Sequence, residues 1–266
     1  MTASAAAARV HDDYVAFCDG VRALADLDLL KYRRGQMERR VRSFAGRRGH
    51  DALGPYLEAL RGDAGALDEL LDRVTINVSN LWRNPEQWDL LQRAIVPDLA
   101  ADGELRAWSA GCSYGAEVYT LAAICRLAAP AAATRILGTD VDRRAIGRAR
   151  RGEFTPEDVR HAPSAHLRRF FERDRRHWRP TAELRALVAF EVGDLLRLAP
   201  PREAYDLVLC RNTVIYFNDE VRDALHARLT SSLRPGGVLV VGATERIGAA
   251  DRLGLELIAP FTYRKA

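Results

Sequence analysis

The chain has no apolar run approaching the ~18 residues of a membrane-spanning helix, so no transmembrane segment is expected. Cysteine is scarce: Cys18, Cys112, Cys125 and Cys210 are the four in 266 residues, never as C-x-x-C. A reduced, cytoplasmic compartment fits that scarcity better than a disulfide framework or a zinc site. The six histidines include no H-E-x-x-H, so no metal is indicated. The start, Met-Thr-Ala-Ser-Ala-Ala-Ala-Ala-Arg, lacks a basic n-region and a long apolar h-region. Residues 1–9 therefore read as a disordered tail rather than a signal peptide. With 48% hydrophobic and 29% charged residues, the remainder has an ordinary globular composition. It is long enough for one large core or two modest ones.

Positive charge is unevenly spread. Residues 31–48 carry eight Lys/Arg against one Glu, and residues 160–179 carry seven Arg against two acids. Against a whole-chain net charge of +4, these stretches contribute +7 and +5, leaving −8 for everything else. Two basic stretches on an otherwise acidic chain favour an acidic partner. The plainer reading is a solvated arginine-rich helix face.

The informative stretch is Arg106 to Asp140. Leu105 to Trp108 reads as a buried strand, and Ser109 to Glu117 as a glycine-punctuated turn. Val118 to Ala129 then reads as a helix with Leu121, Ile124, Cys125 and Ala128 on one face. Strand, glycine turn, helix is a unit that cradles nucleotide-like ligands, because glycines let backbone N–H groups approach closely. Gly111 and Gly115 stand four apart, so the G-x-G-x-x-G of dinucleotide enzymes is missing. A second strand, Ile136 to Thr139, ends in Asp140, where a carboxylate is suited to ribose hydroxyls.

Around this unit the pattern alternates. Residues 10–72 read as a helical domain with turns at 46–49 and 62–65, its basic residues interleaved with Leu30, Met37, Val41 and Phe44. Asn77, Ser79, Asn80 and Arg83 form a polar run, followed by Asn84 as an expected N-cap with Pro85 at the first helical position. Residues 73–266 form the α/β domain, interrupted at about 155–184 by an inserted subdomain. Strands at Leu187–Val192 and Tyr205–Cys210 end in Asp194 and Arg211-Asn212. The helix Asp219–Leu233 is expected to stop at Arg-Pro-Gly-Gly, with a strand at Val238–Val241 and a last pair within Leu255–Tyr263. Polar residues thus recur at strand carboxyl ends, the ligand-binding edge of an open α/β sheet.

These segments, in this order, resemble the CheR family of chemotaxis-receptor methyltransferases, which use S-adenosylmethionine (SAM). Leu27–Arg40 resembles the family's N-terminal helical domain, and Thr75–Arg83 its T-x-N-x-T-x-F-F-R segment. Trp108–Tyr119 is similar to W-S-A-G-C-S-x-G-E-E-P-Y. Gly138–Asp142, Cys210–Phe217, Leu233–Gly237 and Gly242–Glu245 complete the set. The resemblance implies a Rossmann-like class I methyltransferase sheet, with SAM contacts at Asn77, Ser79, Arg83, Gly111, Glu117, Asp140, Asp194, Leu195, Arg211 and Asn212. It places Arg83 and Tyr216 beside the transferable methyl. Departures are Ser79 for Thr, Leu81-Trp82 for the Phe pair, Ala116 and Val118 for Glu and Pro, Asp194 for Asn, and Ala243 for His.

The implied reaction is methyl transfer from SAM to glutamate carboxylates of a chemoreceptor, leaving S-adenosylhomocysteine. A glutamate with a pKa near ~4.3 is already anionic at neutral pH and needs no general base. The basic helix around Lys31–Arg48 would dock the receptor's acidic helical region. A monomer without nucleic-acid or membrane insertion is expected. The rival readings are a SAM enzyme with a nucleic-acid or small-molecule acceptor, and a non-catalytic SAM-binding signalling protein.

Overall fold

The computed structural model describes residues 12–75 and 79–266; the expected tail at 1–9 and the candidate Asn77 lie outside them. Two compact units divide the chain. One comprises residues up to Ile76 together with Tyr216–Asn218, and the other everything else.

The first unit is helical: α1 (Asp13–Ala25), α2 (Arg34–Arg47), α3 (Leu53–Gly62) and α4 (Ala64–Val74). Local chemistry sets the boundaries. Asp12 caps α1 by accepting from the Tyr14 N–H. Asp63 separates α3 from α4, its carboxylate accepting from the Gly65 and Ala66 N–H groups at 2.8 and 3.1 Å. The expected turn at 46–49 begins later, because α2 runs through Gly46 to Arg47 before Gly49 turns at φ +81°. Met37, Val41 and Phe44 are buried as the helical spacing requires, whereas Leu30 is exposed.

Much of the α2 charge is balanced in place. Arg34 pairs with Asp12 and Glu38 at 2.6 and 2.9 Å, Arg42 with Asp13 and Glu38 at 2.6 and 2.8 Å, and Arg48 with Glu69. Exposed pairs contribute little stability each, but they reduce the net field of this face. Arg39 and Arg47 stay exposed. Tyr216–Asn218 lies along Lys31–Arg33: the Arg33 N–H donates to the Tyr216 carbonyl at 2.8 Å, and the Asn218 N–H to the Lys31 carbonyl at 3.0 Å.

The second unit opens with α5 (Pro85–Leu90), which continues through a π-helical stretch at Leu91–Ile95 into α6 (Val96–Leu99). Then β1 (Glu104–Ala110), α7 (Ala116–Ala128), β2 (Ala133–Asp140) and α8 (Arg143–Arg151) alternate. The insertion follows as α9 (Ser164–Phe170), an antiparallel hairpin of β3 (Phe171–Asp174) and β4 (His177–Pro180), and α10 (Ala182–Arg185). Alternation resumes with β5 (Val188–Val192), β6 (Tyr205–Cys210), α11 (Asp219–Ser232) and β7 (Leu233–Val241), and β8 (Leu255–Ala259) and β9 (Thr262–Lys265) close the sheet.

Strand order is β5-β2-β1-β6-β7-β9-β8, parallel except that β9 runs antiparallel between β7 and β8. The chain winds outward from β1 to β5, then returns to place β6 on the other side of β1. That reversal opens a crevice at the carboxyl ends of β1 and β6. Among the described residues no helix is long and apolar enough to cross a membrane.

Two local expectations fail. Helix α7 is not one-sided: Val118 through Cys125 are all buried, because α7 packs against β2 and β5 and also against α6, α10 and the π-helical stretch. The Arg-Pro-Gly-Gly sequence does not precede β7 but lies inside it. Pairing jumps from Tyr205↔Leu233 to Leu207↔Val238, so the extra residues bulge out of the ladder.

Candidate active site

The glycine turn after β1 is pinned to the end of β2. Both the Gly111 and Cys112 N–H groups donate to the Thr139 carbonyl at 2.9 Å. Gly111 has φ +83°, and a Cβ there would stand 2.5 Å from Thr213 Oγ1, so only glycine lets the two strand-end loops approach. Asp140 ends β2 almost fully buried. Its Oδ2 accepts from the Ser113 N–H at 2.7 Å and its Oδ1 from the Asp142 N–H at 3.0 Å. Each oxygen keeps a lone pair for another donor. Burial pushes this carboxyl up to about 6, against the backbone N–H groups that favour the charged form. The Gly193 N–H donates to the Asp140 carbonyl at 2.9 Å, which sets Asp194 beside it along the edge. Asp194 is half-buried and accepts from the Leu196 N–H, while Leu195 is buried.

Glu117 lies in the first turn of α7. Its Oε1 accepts from Ser109 Oγ at 2.8 Å and its Oε2 from Arg211 Nη1 at 3.1 Å. Arg211 is a hub with its side chain 2% exposed. Its Nε donates to Gln87 Oε1 at 2.9 Å, and its Nη2 to the Arg83 carbonyl at 2.7 Å and to Asn84 Oδ1 at 3.3 Å. The guanidinium also lies 4.8 Å from the Trp88 ring centroid. Burial pulls its basicity down, against the attraction of Glu117. Asn84 therefore occupies the N-cap position of α5 without capping it: at φ 57° its side chain makes no cap bond and turns to Arg211 instead.

The Ser79–Arg83 segment is held almost residue by residue. The Ser79 carbonyl accepts from the Tyr114 hydroxyl, which also reaches Asp158 Oδ1 at 3.0 Å. The Leu81 N–H donates to the Asp158 carbonyl at 2.9 Å. The Trp82 N–H donates to Thr120 Oγ1 at 3.1 Å, and the Arg83 carbonyl accepts from Trp88 Nε1 at 2.8 Å. Arg148 pairs with Asp158 and covers the Tyr114 ring at 3.9 Å. Of the eight non-glycine residues with positive φ among the described residues, Trp82, Asn84, Ser113 and Asn212, at φ of 51° to 57°, belong to these segments, and Asp26, Arg175, Glu203 and Phe261 lie elsewhere. The four local ones carry backbone strain of the kind found at functional positions.

The structure thus gathers Ser79, Arg83, Gly111, Glu117, Asp140, Asp194, Leu195, Arg211 and Asn212 into one unit, at or feeding the sheet's carboxyl edge. Tyr216 belongs to the helical unit, half-buried with Arg40 5.9 Å from its ring centroid. Gln87, Trp88, Tyr114, Asp158 and Glu245 were not among the residues the sequence singled out for roles. Only Glu245, recurring at a strand end, left a signal.

A sheet of this order, with acids ending its second strand and opening its first crossover helix, defines a class: the Rossmann-like, class I SAM-dependent methyltransferases. The donor set suits that cofactor, since Asp140 has acceptors for a diol and Glu117 offers negative charge to an ammonium group. Residues 77–257 match the family model described as CheR methyltransferase, SAM binding domain, and residues 12–75 match CheR methyltransferase, all-alpha domain. The chain is similar to the chemotaxis protein methyltransferase of Listeria innocua, 34% identical over 95% of this chain and 97% of that one. The Listeria monocytogenes protein of the same name is 33% identical over the same shares. Chemotaxis protein methyltransferase 1 of Pseudomonas aeruginosa is 30% identical over 78% of this chain and 80% of its own. The chain belongs to the CheR methyltransferase family.

Proposed function

We propose that this enzyme transfers a methyl group from SAM to glutamate side-chain carboxylates of a chemoreceptor, in the cytoplasm and as a monomer. The acceptor class rests on one observation: both halves of the chain match CheR domains, and relatives spanning nearly its whole length are chemotaxis protein methyltransferases. Bound SAM supplies an electrophilic methyl on a sulfonium. The acceptor glutamate is ionised at neutral pH, so the protein's task is alignment and exclusion of water rather than proton abstraction.

In this reading Asp140 accepts from the ribose hydroxyls, Glu117 faces the cofactor's ammonium group, and Asp194 with Leu195 borders the adenine. Gly111, Ser79, Arg211 and Asn212 complete the cradle. The clamps on the Ser79–Arg83 backbone fix where the Arg83 side chain starts, which suits a residue that steers an incoming carboxylate. Tyr216 orients the methyl or its acceptor. The basic helix α2 docks the receptor's acidic helical region, with Arg39 and Arg47 among the cations exposed there.

The test is transfer of radiolabelled methyl from SAM to receptor membranes, followed by mild alkali. Label released as volatile methanol marks a carboxyl methyl ester and supports the reading. Alkali-stable label marks N-, S- or ether-O-methylation and overturns it.

A further inference from the structure

Glu245, just beyond β7, is a buried carboxylate with an unusual set of partners. It is 3% exposed. Its Oε2 accepts from the Gly242 N–H at 2.5 Å and the Asn212 N–H at 2.8 Å, and its Oε1 from the Val214 N–H at 3.1 Å. These donors are backbone amides from two loops, one leaving β6 and one leaving β7. The carboxylate therefore joins two adjacent strand ends at the cofactor edge of the sheet. Backbone supports the junction: a Cβ on Gly242 would stand 2.6 Å from Glu245 Oε2 and 2.7 Å from the Asn212 nitrogen, so glycine is required for the approach. Asn212 itself is held at φ 57°, a conformation that needs outside support in a non-glycine residue.

We infer that Glu245 is a positioning residue: its carboxylate preforms the 211–215 loop, and so presents Asn212 to SAM before the cofactor arrives. An ionised acid is the right device because it only accepts, and here every partner is a donor. A glutamine of the same shape replaces one acceptor by an NH₂ group facing N–H donors. The inference rests on the reading of Asn212 as a SAM contact.

The experiment compares SAM affinity, by calorimetry, with thermal stability in Glu245→Gln and in Leu229→Ala, a buried truncation on α11. Glu245→Gln is expected to weaken SAM binding about tenfold or more, as about 1.4 kcal/mol of lost preorganisation does. Leu229→Ala is expected to lower Tm at least as far while leaving affinity within about twofold. Unchanged affinity in a folded Glu245→Gln, or equal affinity loss in both variants, overturns the assignment. Hydrogen exchange on the wild type is the second arm and requires no variant to fold. The Asn212, Val214 and Gly242 amides should be protected without SAM; fast exchange there overturns preformation. A wild type that binds no SAM would instead defeat the cofactor reading, and the exchange result would still decide the role of Glu245.

Discussion

Replacing Arg211 by methionine tests whether the Arg211–Glu117 pair holds the site together. Methionine keeps much of the side-chain volume and its contact with Trp88 but removes the charge. Four hydrogen bonds disappear, to Gln87, Glu117, the Arg83 carbonyl and Asn84. Glu117, its side chain 11% exposed, keeps the hydrogen bond from Ser109 Oγ at 2.8 Å and loses its counter-ion. Removing one partner of a buried ion pair costs about 3–5 kcal/mol, because the other charge stays buried without compensation. Neutralising the survivor should restore part of this, so Arg211→Met/Glu117→Gln is expected to be about 2 kcal/mol more stable than the two single losses added together. Urea unfolding read by tryptophan fluorescence isolates the right unit. All four tryptophans, Trp82, Trp88, Trp108 and Trp178, lie in the sheet-bearing unit and none in the helical one. A shift in midpoint at constant m-value reports stability. A loss below ~1 kcal/mol for Arg211→Met, or strictly additive variants, would refute the claim that this pair clamps α5 to the strand edge.

The remaining expectations use the same unit. Asp140→Asn removes a carboxyl that burial raises from 3.8 to about 6. The folded state binds that proton more readily, so the group costs stability as pH rises through 3.8 to 6, a cost of about 3 kcal/mol that persists at neutral pH. Asparagine forfeits one of two amide acceptors, about 1–3 kcal/mol. Apo stability at pH 7 should therefore hold or rise while SAM affinity falls at least tenfold; a clear loss of apo stability by urea melt would contradict this. His226 is buried with neither ring nitrogen bonded among the described residues, and burial, with Arg222 adding to it, lowers its pKa from 6.5 to about 4. A depressed histidine contributes nothing above pH 6.5 and destabilises progressively as pH falls from there to 4. His226→Leu should move the acid-unfolding midpoint down, and an unchanged midpoint would exclude this residue as a trigger. Tyr114→Phe removes the hydroxyl shared by Ser79 and Asp158, so turnover should fall about tenfold for a stability loss of about 1–2 kcal/mol; wild-type turnover would show that the clamp on Ser79 does not matter. Raising salt should weaken receptor engagement through α2 more than SAM binding, measured as separate KM values; equal effects would count against electrostatic docking.

How much of this was readable depends on the range of the determining interaction. The β1–α7–β2 unit was legible because an apolar run, a glycine turn and a terminal acid are all local signals, and the observed boundaries differ by a few residues. The burial of α7 on every side was not, since the layer covering its outer face comes from elements before and after it in the chain. Asn84 looked like a cap because Asn-Pro-Glu is locally a helix start. It fails to cap because Arg211, 127 residues away, takes its side-chain oxygen. The α2 charge looked free because its partners Asp12, Asp13 and Glu69 lie outside the basic stretch itself. The site divides the same way. Groups suited to meet a ligand, such as Asp140 and Glu117, stood out as acids at strand and helix ends. The groups that support the surrounding loops and Arg211, namely Gln87, Tyr114, Asp158 and Glu245, act largely through backbone amides and carbonyls of other segments, and apart from the strand-end position of Glu245 no residue pattern points to them. Sequence alone therefore exposes the parts of an active site that face outward. The inward-facing supports, which decide whether Trp82 and Asn212 can stay in left-handed conformations, become visible only once the chain has closed on itself.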